Sequence, residues 1–222
     1  MHKFLIPLSI VLAGIIIAGS LFLFLYEPPR LPDPNENHAD AMRPIDDSDH
    51  IFGNPAAPVR LVEYGDVDSA FAKSFETSLK RVVAEYGADG KVAWVYRHFP
   101  VTSEHPDAFT HAEAAECAAA QKPAAFFPFV DALRATPPAS PSAYGPILSK
   151  LALNPSAFAA CMDAHTYEDR ITADANNALS AGATGAPFTV VLVTGSDPIP
   201  VSGVIPYEQL AVIVEAGIKA AQ

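Results

Sequence analysis

The chain has 222 residues, 50% of them hydrophobic, with 14 basic and 25 acidic side chains, a formal net charge of −11 and a pI near 4.9. Binding to a phosphate backbone needs clustered basic surface, so this balance excludes a nucleic-acid partner. The length supports one sizeable core, and the two cysteines are too few for a disulfide scaffold or a cysteine metal site.

Residues 4–26 carry no charged side chain. Such a run makes roughly 34 Å of helix, enough to cross a hydrocarbon core of about 30 Å. A cleaved signal peptide fits less well, because Ala18, Gly19 and Ser20 lie inside the run and not after it. Lys3 and the α-amino group set the N-terminus in the cytoplasm, against Arg30 on the other flank. The expectation is a single-pass cell-membrane protein whose C-terminal domain is extracytoplasmic. Residues 27–50 follow, rich in proline and acids with only Arg30 and Arg43 as basic residues. They read as a solvated spacer, with the folded domain starting near Ile51.

Val59 to Gly65 is a short β-prone run. Asp68 is the expected N-cap of a helix carrying Phe71, Phe75, Leu79, Val82, Val83 and Tyr86 at helical spacing, ended by Gly87. Its first turn is Ser69-Ala70-Phe71-Ala72. Lys91 to Phe99 reads as a second strand closed by Pro100, far enough from the first for a crossover and hence a parallel pair. From about Glu104 to Ala183 the chain is alanine-rich and helical, with breaks expected at Pro123, Pro128, the proline-rich stretch 137–141 and Pro155. Phe188 to Thr194 and Ile199 to Val204 form a predicted hairpin, and Pro206 opens a closing helix striped by Tyr207, Leu210, Ala211, Val214 and Ile218. The predicted order is β-α-β, a helical block, then β-β-α.

This order, with 51–59 (Ile-Phe-Gly-Asn-Pro-Ala-Ala-Pro-Val), Val62-Glu-Tyr-Gly-Asp66, Trp94-Val-Tyr-Arg-His-Phe-Pro100, Ala114-Ala-Glu-Cys-Ala118, Ala160-Cys-Met-Asp163 and Ala183-Thr-Gly-Ala-Pro187, resembles the thioredoxin fold in its DsbA-like form. The resemblance implies an α/β thioredoxin-like domain over 51–222 with a helical insertion at about 104–183. It also implies a cis-proline at Pro187, and a groove at Phe71, Ala186 and Pro187 that receives an extended peptide. Where the family has Cys-x-x-Cys, this chain has Ser69-Ala70-Phe71-Ala72. Dithiol exchange needs an attacking thiolate and a second sulfur, so Ser69 and Ala72 mark a degenerate site. Relatives keep a buried acid at the position of Glu63 to move protons at the cysteine pair. Here Glu63 is read as a solvated or paired carboxylate, since an unpaired buried one is costly.

Cys117 and Cys161 both lie in helical contexts without an adjacent basic residue. In an oxidising compartment they read as a structural disulfide within the helical block. A displaced redox pair, and two free thiols in a cytoplasmic domain, are the alternatives. The seven histidines show no i, i+4 pair and no His-Glu-x-x-His run, so no metal or cofactor is expected. Ser69 lacks both a Gly-x-Ser-x-Gly setting and a nearby base, which excludes a serine hydrolase. The reading is a non-catalytic, membrane-anchored module for an extended peptide or an envelope protein. An oxidoreductase acting through Cys117 and Cys161, or a structural envelope subunit, are the competing readings.

Overall fold

A computed structural model of the protein describes residues 38–135 and 141–222. The apolar run at 4–26 and the first part of the expected spacer lie outside the described residues. Among the described residues no helix is long and apolar enough to cross a membrane.

The strands are β1 (His50–Gly53), β2 (Val59–Gly65), β3 (Val92–His98), β4 (Phe188–Val193) and β5 (Ile199–Ser202). They form one sheet in the order β1-β3-β2-β4-β5. As expected, β2 and β3 are parallel, joined through helix α1 (Ala70–Tyr86), and β4 and β5 form an antiparallel hairpin. Edge strand β1 was not foreseen; it is four residues long and pairs antiparallel with β3, His50 opposite Tyr96. So short a run shows no alternation, and Gly53 at its end has φ of +113°. The helical block comprises α2 (Ala108–Gln121), α3 (Phe126–Ala135), α4 (Gly145–Lys150), α5 (Pro155–Asp163) and α6 (Glu168–Ser180), and α7 (Tyr207–Ala220) closes the chain. Pro128 does not break the block. It sits in the first turn of α3, where a missing N–H costs nothing.

Alternation along the central strands sends side chains to two cores. Val59, Leu61, Trp94, Tyr96, Val191 and Val193 pack with Phe75, Leu79 and Val82 of α1, Leu210 and Val214 of α7, and Phe126 and Phe129 of α3. Val62, Tyr64, Val95, Phe188 and Val190 pack on the opposite side with Ala178, Ala181 and Ala39. Every residue of β3 is buried, as for a strand covered on both faces.

The domain begins earlier than Ile51. Residues 38–50, composed like a solvated spacer, are laced to the second face of the sheet through their charges. Arg43 pairs with Asp49 at 2.7 Å and with Asp174 at 3.0 Å. The fully buried Arg97 donates to both oxygens of Asp49 at 2.9 Å, to the Tyr64 hydroxyl at 2.9 Å, and to the carbonyls of Arg43 and Pro44 at 3.0 Å. Asn177 accepts from the Arg43 N–H and the Tyr64 hydroxyl and donates to the Ala41 carbonyl. Burial works against charge on Asp49, but the hydrogen bonds and charge of Arg97 prevail and its pKa lies below the ordinary carboxylate range. Composition counts such charges as solvated; here Arg43 and Asp49 are matched by partners distant in sequence.

Candidate functional site

The tip of β2 leads into the N-terminus of α1 through a turn that the rest of the chain holds firmly. Gly65 is required at the strand end, because a Cβ there would lie 2.6 Å from Cε2 of Tyr96, whose hydroxyl donates to the Gly65 carbonyl at 3.0 Å. Ser69, not Asp68, is the N-cap: its side chain accepts from the Ala72 N–H at 3.3 Å. Asp68 instead faces Nδ1 of His111 at 2.7 Å. The buried Asp66 accepts from the N–H groups of Asp68 and Val101, both at 2.8 Å, and its carboxylate lies 3.0 Å from Nδ1 of His105. Arg134 of α3 reaches under the turn, donating to the carbonyls of Val67 at 2.8 Å and Asp66 at 3.2 Å while pairing with Glu76 of α1.

Beneath this turn, Glu63 is neither solvated nor paired. It is fully buried, and neither carboxylate oxygen has a hydrogen-bond partner. Its register, opposite Tyr96 on β3 and Thr189 on β4, turns it toward the core under α1. Oε1 of Glu76, Nε1 of Trp94 and Oγ1 of Thr189 are likewise buried without partners. Burial, reinforced by the neighbouring Glu76 charge, raises the Glu63 pKa well above the ordinary range, and Arg134 only partly opposes this. The carboxyl therefore keeps its proton to higher pH than an ordinary glutamate does.

The Ala186–Pro187 peptide bond is cis, as the resemblance implies. Tyr64 lies opposite Phe188, so the Pro187 loop and the turn into α1 share one end of the sheet. The Pro187 carbonyl accepts from the Gly203 N–H at 2.9 Å. Pro187 is buried, Ala186 and Gly185 are half-buried, and Phe71 on the first turn of α1 is 70% exposed. Val204, just beyond Gly203, is a further exposed apolar residue. The only side-chain hydrogen bond of Ser69 among the described residues is its helix cap, and no base touches it. This end of the sheet thus presents apolar surface and backbone beside the turn, whose sequence Ser69-Ala70-Phe71-Ala72 holds no cysteine.

Both cysteines of the chain are spent in a Cys117–Cys161 disulfide between α2 and α5, with Cα atoms 5.8 Å apart. Of the three readings open from sequence, this arrangement matches the disulfide within the helical block. One residue before Cys117, Glu116 meets two histidines that no local motif connects. Nε2 of His50 on β1 and Nε2 of His98 on β3 each lie 2.8 Å from its Oε1. Arg170 of α6 donates to Oε2 at 2.7 Å. Burial works against the Glu116 charge, but the two imidazoles hold its carboxyl far below the usual range. The expectation of no metal ligands rested on spacing within one segment. The structure assembles a potential ligand set from three.

A family model described as thioredoxin matches residues 46–194, more than half of the chain. Among solved structures, the fold is similar to that of DsbA2 of Pseudomonas aeruginosa (TM-score 0.65, 23% identity, 78% of this chain and 96% of that one). It is similar to alpha-DsbA1 of Wolbachia pipientis (TM-score 0.70, 18% identity, 84% and 98%). It also resembles a thioredoxin-like oxidoreductase from Silicibacter pomeroyi DSS-3 (TM-score 0.65, 25% identity, 84% and 99%). A stretch of 81 residues, 36% of the chain, is 44% identical to a protein named Na(+)/H(+) antiporter NhaA 1 from Mycolicibacterium gilvum, and spans 13% of that protein's length. The sheet order, the cis-proline at one end of the sheet, the helical block between β3 and β4 and the matching family model lead to one assignment: the chain belongs to the thioredoxin family.

Proposed function

We propose that this protein is a non-catalytic thioredoxin-fold module that holds an extended peptide, or an extended segment of an envelope protein, in the groove between α1 and the Pro187 loop. One observation carries the reading. The turn into α1, Ser69-Ala70-Phe71-Ala72, keeps the shape and the exposed aromatic of a binding site but has no sulfur, and the only two sulfurs able to exchange are bonded to each other elsewhere. Disulfide exchange needs a thiolate, and a helix N-terminus can activate only a group that has one. Peptide capture needs unpaired backbone polar groups and an apolar platform, and Ala186, Phe71 and Val204 supply candidates for both. In this reading the apolar run at 4–26 anchors the module to the cell membrane, with the domain on the extracytoplasmic side. The NhaA-named relatives share too small a part of their length for ion transport to enter the proposal.

The test is fluorescence polarisation with a labelled, cysteine-free unfolded peptide, alongside reduction of insulin by the purified protein. The expected result is saturable binding weakened tenfold or more by Phe71→Ala or Pro187→Ala, with no insulin reduction. Restoring the dithiol with Ser69→Cys and Ala72→Cys should then create exchange activity in the same groove. Exchange by the natural chain that disappears in Cys117→Ala would overturn the proposal, as would peptide binding indifferent to both groove substitutions.

A further inference from the structure

His50 and His98 come from adjacent antiparallel strands. His50 is opposite Tyr96, and His98 lies two residues beyond it, so both project from the same face of the sheet toward α2. Glu116 descends from α2 between them, one residue before the cysteine that ties this helix to α5. The three donor atoms, Nε2, Nε2 and Oε1, lie within 4.8 Å of one another. Side chains from two strands and a cross-linked helix are better fixed than loop residues, as a metal site requires.

From this convergence we infer that His50, His98 and Glu116 form a binding site for a zinc-like divalent transition metal, with a fourth position left for water. Two imidazoles and one carboxylate make a three-ligand set that suits zinc, which binds these groups at about 2.0–2.2 Å. Tetrahedral bonds of that length separate ligand atoms by roughly 3.3 Å, so the carboxylate oxygen would retreat from each 2.8 Å contact by about half an ångström and the two imidazole nitrogens would settle at the same separation, within the 4.8 Å that now encloses all three atoms. Calcium and magnesium require a shell of several oxygens, which this site lacks.

The surroundings match what such a ligand set needs. Arg170 holds the second Glu116 oxygen and is itself anchored on the Ser48 carbonyl, leaving Oε1 oriented for the ion. The His50 ring is stacked on Phe126 with centroids 3.5 Å apart, which sets its plane. Coordination through Nε2 requires the ring proton to sit on Nδ1. For His98 this gives up the 2.8 Å hydrogen bond to Glu116 and places the proton on a buried Nδ1 without an acceptor, a cost that the metal–nitrogen bond has to exceed. Access runs past His50, which lines a cleft of about 650 Å³ together with Asp46, Asp47, Phe52 and Phe127. The acids at this cleft favour the approach of a cation. The positive charge of Arg170 opposes any cation, which leaves binding to depend on the imidazole nitrogens and favours zinc over harder ions.

The experiment is titration of the full chain, first stripped with chelator, with Zn²⁺ against a chromophoric competitor, and with Co²⁺ followed by visible absorption. The expected result is one ion per chain, a Co²⁺ spectrum of a four- or five-coordinate site, and a rise in Tm with Zn²⁺. His50→Gln should weaken binding by about 100-fold or more and abolish the metal-dependent rise in Tm. Glu116→Gln should do the same. X-ray absorption at the zinc edge of the natural protein needs no variant and should show two imidazoles in the first coordination sphere. Absence of stoichiometric binding, an all-oxygen shell, or affinity unchanged in His50→Gln would overturn the inference.

Discussion

Glu63→Gln isolates the energetic cost of a buried acid in a groove without sulfur. The unfolded chain releases the Glu63 proton in the ordinary glutamate range, about pH 4.3. The folded protein holds it to higher pH, because burial and the Glu76 charge raise its pKa. Over the interval between those two values the folded state binds more protons than the unfolded one, so this group makes stability fall as pH rises. The slope is about 1.4 kcal/mol per pH unit while the folded carboxyl stays protonated and the unfolded one does not. Between pH 5 and pH 8 the loss therefore has a ceiling of about 4 kcal/mol. Glutamine has nearly the shape of the protonated acid and does not ionise. At pH 4.5 the two proteins should differ by no more than about 1 kcal/mol, the scale of one rearranged hydrogen bond. As pH rises toward 8 the variant should become progressively the more stable, within that ceiling. The assay is urea unfolding at pH steps from 4.5 to 8.5, reading the difference between the proteins so that every other titrating group cancels. Parallel curves across this range would refute the reasoning, since they would mean that Glu63 is ionised and satisfied in the folded state.

The disulfide closes a loop with a sequence separation of 44. Replacing both Cys117 and Cys161 with alanine should cost about 4 kcal/mol in the chain-entropy estimate and lower Tm by roughly 10 °C. A loss below about 1 kcal/mol in urea unfolding would show that the unfolded chain is already constrained there. For the segment at 38–50, the comparison is between deletion of residues 1–37, which keeps it, and deletion of 1–49, which removes all of it but His50. Deletion of 1–49 removes Asp49 and strips the buried Arg97 of its carboxylate, for an expected loss of about 3–5 kcal/mol. Equal midpoints for the two truncations would mean that the ion pairs of this segment contribute nothing.

Much of the fold was legible because it rests on local pattern. The apolar run Val59–Gly65, the 3.6-residue stripe of Phe75, Leu79 and Val82, and the proline positions around the helical block all report directly on burial. The pieces that escaped depend on partners distant in sequence. Asp49 and Arg43 look solvated until Arg97 and Asp174 arrive across more than 40 residues. His50, His98 and Glu116 show no motif because β1, β3 and α2 each supply one of them. Glu63 was misjudged for a different reason: the cost of burying a carboxylate argues for a partner, but protonation is the other way to meet that cost. At the groove, Asp68 is the cap that the sequence suggests and Phe71 counts in the apolar stripe; Ser69 takes the cap because Asp68 is drawn to His111, a residue of the inserted block, and Phe71 stands exposed because no element among the described residues covers the first turn of α1 there.

The lacing of residues 38–50 also has a mechanical side. A pull applied to the chain ahead of His38 meets the Asn177–Ala41 bond and the Arg43–Asp174 pair before any strand is loaded. Only after those, and the Arg97 bonds to Arg43, Pro44 and Asp49, give way does tension reach β1, which runs antiparallel to β3 at the margin of the sheet. The central β2–β3 and β2–β4 ladders and the Pro187 loop lie behind this sequence of breakable contacts, so strain on a tether would be dissipated at the periphery while the groove keeps its shape.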